Sequence, residues 1–254
     1  MRACRAGFVK REIMAEKTSY FYRIEPQCVD FTLNATIEAM GSYLLNTAGT
    51  DAQRKGFGVD VLSKENRAWV LSRMAIELDY RPEQYTDIEV RTWVNENGRV
   101  LSTRNFEVAD KAGEIFCRAV SQWCLIDYAK RVPVGLSEIK DMCHYMCDAP
   151  SPCDTPHKIL DVEPTDFTEH KVVYSDIDFN CHVNTMRYIV MMIDMLPIDL
   201  LRENRPLRLD IHFIHESRLG QTLTVGYVQR GETSLFEIKT DDGTVACRAS
   251  VEWR

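Results

Sequence analysis

The stretch FEVADKAGEIFCRAVSQW, Phe106 to Trp123, returns without a gap as FEIKTDDGTVACRASVEW, Phe236 to Trp253. Phe, Glu, Gly, Cys-Arg-Ala and Trp coincide. Upstream, IELDYRPEQYTDIEV (Ile76 to Val90) lies over IHFIHESRLGQTLTV (Ile211 to Val225) at a slightly different offset, so one loop differs in length between the blocks. Two matching blocks in the same order mark two copies of one fold.

Working outward, each copy opens with a short strand, SYFYRIE in the first and HKVVYSD in the second. A helix follows. Leu33, Ile37, Met40, Leu44 and Ala48 recur at helical spacing in the first copy, and Val183, Met186, Val190 and Ile193 in the second. Then come runs rich in Val, Ile, Thr, Phe and Trp, separated by turn signals at Asn97-Gly98, Lys111-Ala112-Gly113, Arg230-Gly231-Glu232 and Asp241-Asp242-Gly243. The expected class is α+β: an antiparallel sheet wrapping two long central helices, with one unit over residues 17–130 and the other over 167–254. Residues 131–166, where Pro133, Pro150, Pro152, Pro156 and Pro164 fall, read as a linker with a short helix around Ser137 to Tyr145.

With 45% hydrophobic and 27% charged residues the chain falls among soluble globular proteins. No apolar run is long enough to span a bilayer. A net charge of −7 argues against general nucleic-acid affinity. The nine cysteines sit mostly in apolar contexts, as at Cys117, Cys124 and Cys247, which points to a reducing cytoplasm. The leading MRACRAGFVKREIM lacks the hydrophobic stretch of a secretory signal and reads as a frayed tail, or as an upstream start ahead of Met14. It is short for a transit peptide. There is no Gly-rich phosphate loop, Gly-x-Ser-x-Gly elbow or dinucleotide fingerprint.

The repeat supplies an internal control for YSDIDFNCHVN, Tyr174 to Asn184. Its counterpart, VDFTLNATIEAM (Val29 to Met40), keeps Asp30-Phe31 but has Thr32 and Asn34 where the second copy has Asn180 and His182. Asp30, Thr32 or Asn34 suffices to cap a helix, and Asp176 and Asn184 read as turn or cap residues. Asn180 and His182 exceed that need. Arg81 stands where the second copy has Glu216, although an acid at a strand end reads equally well as solvated. Cys181, between the two polar residues, reads as neutral packing. A helix N-terminus polarises a carbonyl, an amide orients water, a histidine moves a proton and a carboxylate activates water. Asn180, His182 and Glu216 are therefore the candidate catalytic residues, suited to hydrolysis of an activated acyl group.

Two repeats of strand, helix and meander resemble the double hotdog fold. SDIDFNCHVN followed by TMRYIVMMID resembles the signature of the acyl-ACP thioesterases of plants and bacteria, whose second hotdog carries Asp-x-Asn-x-His-Val-Asn at the start of its central helix. Glu216-Ser217 falls at the family's catalytic glutamate, and AWVLSRMAIELDYRP, VRTWV and SQWCLIDYAKRVP resemble its first sheet. The resemblance implies hydrolysis of fatty acyl-acyl carrier protein (ACP), whose chain is carried on phosphopantetheine, with no cofactor and no metal. Asn180 and His182 would then polarise the thioester or position water, Glu216 would activate it, and Asp178 would orient Asn180 or the helix start. Ser217 stands where a cysteine nucleophile has been proposed for the family, and Thr185 replaces a second Asn. The acyl chain would enter the first hotdog. Met40, Tyr43, Leu44 and Trp69 are candidates to contact it there, and each also reads as ordinary core. Arg99, Arg104, Arg118, Lys130 and Arg131 are available to meet an acidic carrier. The paired units are compatible with a monomer or a homodimer.

Cys143, Cys147, Cys153 and His157 could supply zinc ligands, but free thiols in a loop are the simpler reading. His212 and His215 are isolated, and alternation places them on opposite strand faces. Two other functions fit such a fold: a thioesterase or hydratase acting on acyl-CoA, and a non-enzymatic acyl-binding regulator.

Overall fold

The computed structural model of the chain describes residues 15–139 and 142–254. The first half contains β1 (Thr18–Arg23), α1 (Ile37–Arg54), α2 (Val59–Leu62), β2 (Arg67–Leu78), β3 (Asp87–Asn97), β4 (Leu101–Ala109), β5 (Ile115–Asp127) and the short β6 (Val132–Pro133). The second contains β7 (Asp166–Lys171), α3 (Thr185–Ile193), α4 (Ile198–Arg202), β8 (Leu207–Phe213), β9 (Thr222–Arg230), β10 (Thr233–Thr240) and β11 (Val245–Trp253). One sheet runs β1-β3-β4-β5-β2-β8-β11-β10-β9-β7, with β6 paired to β5. This order is a palindrome when each strand is matched to its repeat. The centre is the antiparallel β2–β8 pair, in register from Arg73 opposite His212 to Leu78 opposite Leu207.

Alternation along the strands aims one face at the helices. On β8, Leu207, Leu209 and Ile211 enter the main core, as do Leu223, Val225 and Tyr227 on β9. Those residues meet Met40 and Leu44 of α1 and Ile189 and Met191 of α3, all buried. The two helices touch at Gly41, where an added Cβ would lie 2.6 Å from Met186 Sδ. A second apolar cluster, with Phe57, Leu62, Leu125, Leu136 and Met142, lies beneath the start of the connection between the halves.

Several elements differ from the sequence expectation. Leu33 is outside α1: it is exposed, with φ 60°, because the preceding turn needs left-handed backbone there, and Thr36 caps the helix through Ala39 N–H at 3.0 Å. Val183 likewise precedes α3. The second central helix is short, ending at Ile193, because Pro197 disfavours helical backbone at Leu196 and starts α4. The second opening strand is Asp166–Lys171 instead of HKVVYSD, and Tyr174–Asp176 form a 3₁₀ turn. In place of one short helix the connection has 3₁₀ turns at Leu136–Glu138 and Met142–Tyr145.

That connection lies against the sheet face opposite the helices. Trp93 Nε1 donates to Ala149 O (3.0 Å), and the buried Arg208 donates to Asp154 O and Thr155 O (3.3 Å each) while pairing with Asp210 and with Glu77 across the central seam. His215 falls beyond the end of β8, so strand alternation does not govern it. The expectations for residues 1–14 and for the Cys143 side chain lie outside the described residues. Among the described residues no group of three or more His, Cys, Asp or Glu side chains is placed to hold a metal.

Candidate active site

The site is built on a loop that precedes α3. The Ile177–Val183 bridge closes it, and inside Asp178 N–H donates to His182 O (2.8 Å) while Cys181, with φ 62°, donates to Asp178 O (3.0 Å). The Asp178 carboxylate accepts the backbone N–H groups of Asn180 (2.8 Å) and His182 (3.3 Å). Both the left-handed residue and the aspartate are ordinary turn chemistry.

Asp176 fixes the loop from behind. Its buried carboxylate binds Val173 N–H (2.9 Å), His170 Nε2 (2.7 Å) and Arg187 Nε (3.0 Å), and its carbonyl accepts Asn184 N–H (2.7 Å). Burial pushes this carboxyl up, but those three partners outweigh it and hold it below the usual carboxylate range. Asn184 then caps α3, accepting Met186 N–H at 2.8 Å, and Arg187 N–H donates to Asn184 O. The Asn184 side chain and carbonyl thus occupy the N–H groups of Met186 and Arg187 in the first helical turn.

Val183 N–H donates to Ser217 O (2.8 Å), which binds the loop to the chain beyond β8 and sets Glu216 beside it. Glu216 Oε2 lies 3.3 Å from His182 Nε2, with both side chains about one-third exposed (36% and 30%). Its Oε1 accepts from Arg131 Nη2 and Arg218 Nη2, each at 2.7 Å. Partial burial raises the Glu216 carboxyl, yet the bonds from Arg218 and Arg131 and the neighbouring His182 bring it below its ordinary value. Glu216 is therefore ionised at neutral pH.

Of the residues singled out from the sequence, the structure brings His182 and Glu216 into contact and places Asp178 under the backbone of Asn180 and His182. Asn180 is exposed at the tip of the loop. Cys181 is exposed and not packed, whereas Ser217 is fully buried and so is not presented to a carbonyl outside. Met40 and Leu44 are fully buried in the main core, and Tyr43 packs on Tyr22 while donating to Arg23 O (2.9 Å). Trp69 belongs to the second cluster and donates to Phe57 O (3.1 Å), so these four do not form a single wall. Arg104 is not available to a partner: it is buried on Asp51 of α1 at 2.7 Å. Arg118 and Lys130 pair with Asp79 and Asp127, and Arg99 is exposed. Arg131, one of the cations available to meet an acidic carrier, is instead on Glu216, and nothing near it in the chain signals that contact. Arg218 was legible, two residues from that glutamate.

Family models for the acyl-ACP thioesterase N-terminal and C-terminal domains match residues 15–143 and 159–254. The chain belongs to the acyl-ACP thioesterase family. A crystal structure of an acyl-ACP thioesterase from Bacteroides thetaiotaomicron superimposes with a TM-score of 0.87 at 35% identity, covering 94% of this chain and 98% of that one. The 12:0-ACP thioesterase from Umbellularia californica shares the fold, with a TM-score of 0.82 at 21% identity over 94% of this chain and 97% of that one. A chloroplastic acyl-[acyl-carrier-protein] hydrolase of Cuphea viscosissima is 27% identical over 216 residues, which is 78% of this chain and 52% of the relative. The chain thus spans about half the length of the curated relatives it matches. The double hotdog expectation holds: the solved acyl-ACP thioesterases share this architecture.

Proposed function

We propose that this chain hydrolyses the thioester of a fatty acyl group carried on ACP, releasing the free fatty acid. The observation that carries the proposal is the contact between His182 Nε2 and Glu216 Oε2 (3.3 Å) beside the Asp178 loop, in a chain of this family. In this reading ionised Glu216 takes a proton from water as that water attacks the carbonyl carbon. His182, with the Asn180 amide, donates to the carbonyl oxygen as charge gathers there. The C–S bond then breaks as the carbonyl re-forms, and the proton held by Glu216 passes to the departing thiolate of the carrier. Asp178 acts on the substrate only indirectly, by fixing the loop through two backbone N–H groups. A glutamate held below its ordinary value is a weak base, so positioning of the water contributes more than basicity.

The proposal assigns chemistry to residues 167–254 and the acyl chain to residues 17–130, joined by 131–166. Met40, Tyr43, Leu44 and Trp69 are the side chains to vary for chain-length preference. The free thiols of the described residues, among them buried Cys117 and Cys247, suit a reducing setting such as the cytoplasm. No described helix is long and apolar enough to cross a membrane. The reaction needs no cofactor, and one chain or a homodimer would serve it. The test is fatty acid release by the purified protein from acyl-ACP and, in parallel, from the matching acyl-CoA. Faster turnover of the ACP substrate is expected; preference for CoA would reassign the carrier, and release from neither would overturn the proposal.

A further inference from the structure

Glu216 receives a partner that its own half of the molecule does not supply. Arg131 belongs to the turn between β5 and β6, and its Nη2 reaches Glu216 Oε1 at 2.7 Å across 85 positions of sequence. The turn is tightly built: Asp127 Oδ1 accepts Ala129 N–H (3.1 Å) and Lys130 N–H (2.9 Å), and β6 returns onto β5 with Val132 opposite Asp127. Arg131 sits within it at φ 57°, left-handed backbone that glycine adopts without steric cost. An arginine is placed there, 70% exposed, with its guanidinium on the carboxylate.

Glu216's two oxygens are thereby divided. Oε1 takes Arg131 and Arg218, and Oε2 faces His182. Arg218, two residues along the same segment, cannot by itself fix the carboxylate plane, because one donor on one oxygen leaves rotation about the terminal bond. A second donor from another direction restricts that rotation.

We propose that Arg131 is a positioning residue for the reaction: it holds Glu216 with Oε2 turned to His182, so that the second unit's site is completed by the β5–β6 turn, where the connection leaves the first unit. This rests on the proposed roles of His182 and Glu216. An exposed ion pair contributes little to stability, so its loss should be read in turnover and not in unfolding.

The experiment compares Arg131→Gln, Arg131→Lys and Arg131→Gly in the full chain. Arg131→Gly relieves the left-handed backbone and is expected to keep the melting temperature. For Gln and Gly, kcat on acyl-ACP should fall about fivefold with KM little changed, and Lys should restore part of the loss, as expected for a charge-assisted bond to the carboxylate. A second readout needs no turnover: the titration midpoint of Glu216, followed by its carboxyl carbon resonance, should rise in Arg131→Gln and less in Arg131→Lys. Among the described residues Arg131, Arg218 and His182 are the cationic or titratable groups touching Glu216, so the same titration in His182→Ala separates the histidine's share. Unchanged kcat with an unchanged midpoint in Arg131→Gln would overturn the positioning role, as would equal loss in Lys and Gln. If the intact chain hydrolyses no acyl thioester, the proposed function fails while the midpoints still decide whether Arg131 controls Glu216.

Discussion

Ahead of its central helix each half of the molecule folds the same loop and then fills it differently. Asp30 N–H donates to Asn34 O (3.0 Å) as Asp178 N–H does to His182 O (2.8 Å), and Leu33 (φ 60°) matches Cys181 (φ 62°). Ala35 N–H reaches Pro82 O and Val183 N–H reaches Ser217 O, both at 2.8 Å, which sets Arg81 and Glu216 in equivalent places. In the first half Arg81 is buried, pairs with Asp30 and donates to Leu201 O in α4, while Asn204 binds the Arg81 backbone through both of its amide atoms. Both aspartates accept their own loop's N–H groups, Asp30 from Thr32 and Asp178 from Asn180 and His182. In the second half no arginine among the described residues faces the aspartate, and Glu216 faces a histidine and two exposed arginines. The backbone requires only the aspartate and a left-handed residue. The charge at the facing position is an independent choice, and it makes one mouth a closed ion pair and the other an accessible acid–base pair.

The sharpest way to break this comparison is to copy the first mouth into the second. Glu216→Arg should pair with Asp178, leave the fold intact by circular dichroism, and lower acyl-ACP turnover about a thousandfold. The converse disruption, Arg81→Met, leaves Asp30 without its cation and should cost about 3 kcal/mol in urea unfolding, with kcat per folded molecule preserved. Away from both mouths, Gly226→Ala would set a Cβ 2.6 Å from the rigid Pro164 ring and should cost roughly 1 to 3 kcal/mol. The smallest effect concerns pH. Asp176 has a lowered folded value, so its contribution to stability is present above its unfolded value near 3.8 and is lost as pH falls through the folded one. The stability gap between the intact chain and Asp176→Asn should therefore be widest at neutral pH and close in acid; a gap constant with pH would detach Asp176 from the ionic anchor of the loop.

The two-fold architecture was legible because Phe106–Trp123 and Phe236–Trp253 repeat strand for strand, and the Asn97-Gly98 and Asp242-Gly243 turns mark the hairpins. The helix limits were less so. Leu33 and Val183 have helical spacing, yet the loop closure decides their backbone, and no periodicity reports a bridge such as Ile177–Val183. The repeat isolates Asn180 and His182 as excess over structural need and sets Glu216 against Arg81, but the contact of His182 with Glu216 depends on the Val183–Ser217 bond, which no sequence pattern reports. Arg131 was not, since its reach depends on a left-handed turn in the other half. Arg104 was misread as surface because Asp51, which buries it, lies on a helix far away in sequence.

The most direct measurement is single-turnover hydrolysis of a fatty acyl-ACP by His182→Ala and Glu216→Gln beside the intact chain, with each fold verified. The account predicts a fall of at least about a hundredfold for each variant. Rates within about threefold of the intact chain, in folded protein, would contradict the assignment of general acid–base chemistry to this pair.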